Sequence, residues 1–224
     1  MSMVDSGRIL EDSLNYAKEG LAGRWGRWIL LILSCIVFPL FLGYAVRVYR
    51  GANPSPEPEN WGGMFIDGIK LMIVGMVYAL PVLILEVILF ASPGMVKTSS
   101  ANPDAIMGLL LAVLLSSILL VIAATLIWLI ITIAGVRFAR TDNFSEAFNF
   151  REILARIGRI GWMDYIVSLL MMFIVIGITA IICLVLPFIG PVLLLILLPA
   201  LGLFSARYIT LLYESGGPEL FPLL

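Results

Sequence analysis

Residues 106–136 read IMGLLLAVLLSSILLVIAATLIWLIITIAGV, a stretch that contains no charged side chain. The hydrocarbon core of a bilayer is about 30 Å thick, and a helix needs roughly 20 consecutive apolar residues to cross it. Backbone groups inside lipid must hydrogen-bond within their own segment, so this run is predicted to be a transmembrane α-helix rather than a strand.

The rest of the chain has the same character. It is 61% hydrophobic and 13% charged, with a mean hydropathy of +1.07, whereas a soluble domain carries about 25% charged residues. The sequence therefore predicts an all-α fold, a polytopic transmembrane helical bundle in which residues 1–224 form a single membrane domain. The predicted transmembrane helices are 71–91, 106–136, 162–186 and 192–208.

Two further segments are predicted to be amphipathic helices on the membrane surface. In residues 143–160, apolar side chains recur at helical spacing while Glu152, Arg156 and Arg159 share the opposite face. The other is residues 1–27, since residues 11–28 repeat this arrangement with one-residue shifts. Residues 51–60, GANPSPEPEN, are predicted to be a proline-rich linker outside the bilayer.

Basic residues mark the ends of the apolar runs. Positive charge near membrane ends tends to stay cytoplasmic, which predicts a multi-pass protein of the cell membrane with its basic loops and C-terminus in the cytoplasm. Arginines at this level are predicted to contact anionic lipid headgroups. These candidate headgroup contacts are Arg24, Arg27, Arg47, Arg50, Arg137, Arg140, Arg156 and Arg159.

The short run 28–46 has two alternative paths. If it crosses the membrane, Arg24 and Arg27 lie outside, against the charge rule. If it enters and turns back at Pro39, every basic cluster stays cytoplasmic. The charge pattern favours the re-entrant path, and the crossing path stays open.

Three apolar runs end in related sequences, which indicates an internal duplication. The endings are GYAVRVYR at 43–50, GVRFAR at 135–140 and, more loosely, FSARY at 204–208. Each repeat would be a surface helix that leads into a membrane hairpin with an arginine-rich end.

Several segments together resemble a known family. They are the GRW entry at 26–28, FPLFLGYAVRVYRG at 38–51 and ENWGGMFIDGIKLMIVGMVYALP at 59–81. They look like an uncharacterised domain-of-unknown-function family of archaeal and bacterial multi-span integral membrane proteins. The resemblance covers most of the chain and implies a membrane protein, but it brings no catalytic residues to carry over.

Ionisable groups inside a membrane often mark function, and Glu86 and Asp164 are the candidates here. Glu86 lies five residues before the end of its run, or about 7.5 Å at 1.5 Å per residue. That depth suits either a proton or cation site or a side chain that reaches the outer surface. Asp164 lies just inside its helix.

The residue types favour a non-enzymatic protein. The chain has no histidine and shows no recognised nucleophile or phosphate motif, so no catalytic, cofactor or metal residue is predicted. A net charge of -1 offers no field that would attract nucleic acid. The favoured function is a membrane scaffold or accessory subunit that binds lipid or a membrane-protein partner. A small transporter or channel is the alternative, and a lipid-modifying enzyme comes third.

Overall fold

The computed structural model describes residues 5–94 and 103–218. Within these ranges the chain forms eight α-helices and one short 3-10 helix, and no strand. The all-α fold predicted from the sequence is confirmed. The elements in chain order are α1 (Ser6–Leu21), α2 (Trp25–Ile36), α3 (Phe38–Tyr49), α4 (Trp61–Gly94), α5 (Pro103–Thr141), the 3-10 helix (Phe144–Phe148), α6 (Phe150–Ile160), α7 (Trp162–Val185) and α8 (Ile189–Glu214).

Four of these helices are long and apolar enough to cross a membrane. They correspond to α4, α5, α7 and α8, over Trp61–Leu89, Ile106–Thr141, Trp162–Val185 and Ile189–Glu214. Helix α4 begins ten residues before the predicted start at 71, because the interfacial segment from Trp61 joins the apolar run without a break.

The contacts divide the chain into two units. The first consists of Met1–Met72 and Thr132–Leu224, and the second of Ile73–Ile131. In the second unit, most described side chains of α4 and α5 are aliphatic and exposed, among them Leu83, Ile84, Leu114 and Val121. Such a surface is suited to lipid rather than to water.

Helix α8 lies at the centre of the first unit. Helices α1, α2, α3, α6 and α7 all pack against it, and its side chains Phe204, Tyr208 and Tyr213 are buried. Helices α7 and α8 form an antiparallel hairpin, because Tyr208 donates a hydrogen bond to the Ser168 carbonyl at 2.7 Å while Gly190 lies against Cys183 at the other end.

Residues 28–46 are divided between two helices. Helix α2 ends at Ile36, and α3 begins at Phe38 with Pro39 in its first turn, where the missing N–H of proline costs nothing. Each helix has 12 residues and is therefore about 18 Å long, too short to cross a 30 Å core alone. Arg27 near the start of α2 contacts Glu57 beyond the end of α3, so both ends of this helix pair lie together.

Helices α3 and α4 cross with their backbones in direct contact. A Cβ atom at Gly43 would overlap the Met64 carbonyl, and one at Gly68 would overlap the Pro39 carbonyl. Small residues permit this approach between helices in lipid-facing proteins. The crossing fixes the first part of α4 against the α2–α3 pair.

The predicted surface helix at 143–160 is two elements in the structure. Asn143 caps the 3-10 helix by accepting from the Ser145 N–H, and Asn149 caps α6 by accepting from the Glu152 N–H. Asparagine is a favoured N-cap because its side-chain oxygen satisfies a free N–H of the first turn. Because the segment contains two successive N-caps, it forms two helical elements rather than one continuous helix.

Candidate functional site

The C-terminal ends of α3 and α5 are joined by a reciprocal pair of hydrogen bonds. Arg50 Nε donates to the Ala139 carbonyl at 3.3 Å, and Arg140 Nε donates to the Tyr49 carbonyl at 2.7 Å. Each arginine therefore binds the carbonyl that immediately precedes the other arginine. Carbonyls at a helix C-terminus lack intrahelical partners and attract cations, so each arginine caps the neighbouring helix.

Carboxylates neutralise both arginines. Arg50 pairs with Asp67 at 2.9 Å and with Asp142 at 3.1 Å. Arg140 pairs with Glu214 at the end of α8. Three helix ends and the start of α4 thus meet in one ion-paired group.

The first arginine of the ending at 43–50 and the first arginine of the ending at 135–140 each bind the connection that follows. Arg137 Nε donates to Glu146 at 2.8 Å. Arg47 donates to the backbone carbonyls of Glu57 at 3.1 Å and Asn60 at 3.3 Å. In both cases the first arginine of the pair holds the next connection against its own helix.

Arg27 is buried, with only 3% of its side chain exposed. It donates to the Gly20 carbonyl at 3.0 Å and to the Ser55 hydroxyl at 2.7 Å, and it pairs with Glu57. Arg24 reaches the same carboxylate at 3.2 Å but is 53% exposed. The hydrogen bond from Arg27, with the positive charges of both arginines, lowers the pKa of Glu57 below its ordinary value.

Helix α1 is attached to α8 by a similar contact. Arg207 Nε donates to Asp12 at 3.0 Å, and its guanidinium lies 4.9 Å from the centre of the Tyr16 ring. The Tyr16 hydroxyl donates to the Ala52 carbonyl at 2.8 Å. Burial raises the pKa of that hydroxyl. We call the set formed by these paired arginines and their carboxylates the arginine cluster; its members are Arg24, Arg27, Arg47, Arg50, Arg137, Arg140, Arg207, Asp12, Glu57, Asp67, Asp142, Glu146 and Glu214.

The two arginines predicted in α6 have different surroundings. Arg156 is buried, its guanidinium lies 4.1 Å over the Tyr213 ring, and it donates to the Gly217 carbonyl at 2.8 Å. Arg159 is exposed. Seven of the eight arginines predicted as headgroup contacts therefore contact other parts of the chain within the described residues. Their contact with lipid stays a prediction.

The sequence analysis predicted none of the carboxylates that pair with these arginines. A weak signal exists where the partner is close along the chain, since Glu146 follows Arg137 by nine residues. No such signal exists for Asp12 and Arg207, which are 195 residues apart.

The two candidate intramembrane carboxylates are not members of the arginine cluster. Glu86 is exposed on α4 in the second unit. Asp164 is half-buried in the first turn of α7, where the positive end of the helix dipole favours a carboxylate. The described ranges contain no group of three or more acidic or cysteine side chains placed to hold a metal ion.

A cavity of about 370 Å³ lies between α1, α7 and α8. Its lining is apolar except for Lys18 and Thr179, and includes Leu21, Val175 and Phe204. This volume lies within the range of about 300–1,000 Å³ that is usual for small-ligand sites. The size and lining of this cavity are compatible with a small apolar molecule.

Within the described residues, a fold of helices without strands, four of them long and apolar enough to span a membrane, is that of a helical membrane protein. The chain belongs to the DUF4013 family, described as a protein of unknown function, whose model matches residues 28–188. Membership of an uncharacterised family, predicted from the sequence, is confirmed. Comparisons with curated proteins and with solved structures gave no significant match.

Proposed function

We propose that this chain is a non-enzymatic membrane scaffold or accessory subunit that binds lipid or a membrane-protein partner. The arginine cluster is the observation that supports it. Its charges bind each other and backbone carbonyls, so they serve to hold helices together.

We further propose how the chain is placed in the membrane. Helices α4, α5, α7 and α8 cross the cell membrane, and the α2–α3 pair enters and returns on one side. The linker at 51–60, the connection at 142–149 and the end of α8 lie on the cytoplasmic side. Contacts of Arg50 with Asp142 and of Arg140 with Glu214 support one shared side for all three.

Two surfaces are available for binding. One is the apolar cavity between α1, α7 and α8. The other is the exposed aliphatic surface of the spanning helices, for example Leu170 and Ile174 on α7. Large apolar surfaces of this kind are covered by lipid or by a partner helix.

The test is purification of the tagged full-length chain in a mild detergent, followed by reconstitution into vesicles. A scaffold is expected to retain one membrane-protein partner at fixed stoichiometry, and loss of the chain should lower the abundance of that partner. Solute or ion flux through vesicles that contain the chain alone would contradict the proposal and favour a transporter. A Glu86→Gln variant that abolishes such flux would locate it.

A further inference from the structure

Helix α6 has two faces with opposite surroundings. Ile153, Arg156 and Ile157 are buried against the first unit. Phe150 is 50% exposed and Leu154 is 42% exposed. Helix α6 therefore has one side packed against the protein and a separate side that is exposed.

The outward face is itself divided into an apolar half and a basic half. At about 100° of rotation per residue, Phe150 and Leu154 lie next to each other on the helix surface. Arg151, Ala155 and Arg159 occupy the adjoining arc, and all three are exposed. We call these five residues the α6 face.

Helix α6 is connected directly to a helix that is long enough to span the membrane. Helix α6 ends at Ile160, and the spanning-length helix α7 begins at Trp162. Between them Gly161 has a φ of +97°, a conformation that glycine adopts without strain. Trp162 is 47% exposed, and tryptophan at a helix start is typical of the headgroup level.

The charges on the α6 face differ from those of the arginine cluster. Within the described ranges, the side chains of Arg151 and Arg159 make no hydrogen bond and no ion pair with the protein. Glu152 is the one carboxylate on α6, and it is half-buried beside the face. The two arginines are eight residues apart, or about 12 Å along the axis, which gives each one room for a separate phosphate.

We propose that the α6 face binds anionic phospholipids of the bilayer surface. Arg151 and Arg159 bind the headgroup phosphates, and Phe150 and Leu154 lie in the boundary with the acyl chains. This inference rests on the proposed membrane placement but not on the scaffold function. It also changes the sequence prediction for this helix, because Arg156 faces the protein and Arg151 takes its place.

The experiment uses an environment-sensitive fluorophore on Ala155→Cys in the full-length chain, with Cys35→Ala and Cys183→Ala. The protein is reconstituted into phosphatidylcholine vesicles that contain nitroxide-labelled phosphatidylglycerol or nitroxide-labelled phosphatidylcholine. Quenching is expected to be stronger with the anionic lipid, because each arginine favours that lipid by about fivefold at low salt, which gives up to about 25-fold for the two. Raising the salt concentration is expected to reduce this preference.

Matched variants separate charge from folding. Arg151→Gln with Arg159→Gln is expected to bring the quenching ratio close to one, while Arg151→Lys with Arg159→Lys retains the preference. Arg8→Gln, which changes an exposed arginine of α1 outside both the α6 face and the arginine cluster, is expected to leave the ratio unchanged. Equal quenching by both lipids in the parent, or an unchanged ratio in the glutamine variant, would overturn the proposal. Quenching by neither lipid would overturn the membrane placement as well.

Discussion

At the scale of single residues, an arginine at the end of an apolar helix can bind either a lipid headgroup or another part of the protein. Exposure distinguishes the two roles in this chain. Arg24 and Arg27 pair with the same carboxylate, Glu57, yet one side chain is 53% exposed and the other 3%. Their replacement should therefore have different costs, because loss of an exposed ion pair costs little, whereas removal of a buried arginine leaves its buried hydrogen-bond acceptors unsatisfied.

Replacement of the buried arginine tests this difference. Arg27→Gln removes the bonds to Gly20 and Ser55 as well as the ion pair, and should lower the free energy of unfolding by about 2 kcal/mol. Arg24→Gln is the matched control and should change it by less than about 0.5 kcal/mol. Thermal or chemical unfolding in detergent measures both. Equal effects would contradict the assignment of a structural role to Arg27.

At the scale of elements, the close approach of α3 and α4 depends on glycine. Gly68 faces the Pro39 carbonyl without room for a Cβ atom, whereas Gly62 in the same helix has open space. Comparing alanine substitutions at Gly68 and Gly62 therefore separates the effect of backbone crowding from the effect of helix propensity.

Substitution of these two glycines by alanine should have opposite effects. Gly68→Ala forces α3 and α4 apart and should cost about 1–3 kcal/mol of the free energy of unfolding. Gly62→Ala should leave stability unchanged or raise it slightly, because alanine favours helix over glycine. Unfolding in detergent, with helix content followed by circular dichroism, gives the comparison. A tolerated Gly68→Ala variant would mean that the two backbones can move apart at little cost.

The sequence predicted elements better than it predicted their contacts. The long apolar runs of α5 and α7 leave no alternative to helix in lipid, so these elements could be predicted. The inward face of α6 could not, because Ile153 and Ile157 would be apolar whether they faced lipid or protein. The partner of Arg207 could not be predicted either, since nothing in the chain relates it to Asp12.

At the scale of the whole molecule, contacts within the first unit bring four distant parts of the chain to one end. Tyr16 binds Ala52 and Arg207 binds Asp12, so α1 joins the linker and α8. Arg50 adds the connection that contains Asp142. All of these parts should therefore face the same side of the membrane.

Cysteine labelling tests this topology. Single cysteines at the exposed positions Glu11, Glu59 and Ser145, with Cys35 and Cys183 replaced by alanine, should react with a membrane-impermeant reagent from the cytoplasmic side only. Disrupted cells provide the control for reactivity at each position. Labelling of Glu11→Cys from outside intact cells would show that residues 28–46 cross the membrane. That result would contradict the re-entrant path.

The bond between Asp12 and Arg207 also sets an order of events during synthesis. At about 5–20 residues per second, the 195 residues that separate them take roughly 10–40 s to make. Helix α1 leaves the ribosome before α8, so the contacts between the two helices form only after the intervening helices have been made. Until then the nascent α1 lacks its partner for both Asp12 and Tyr16 on α8.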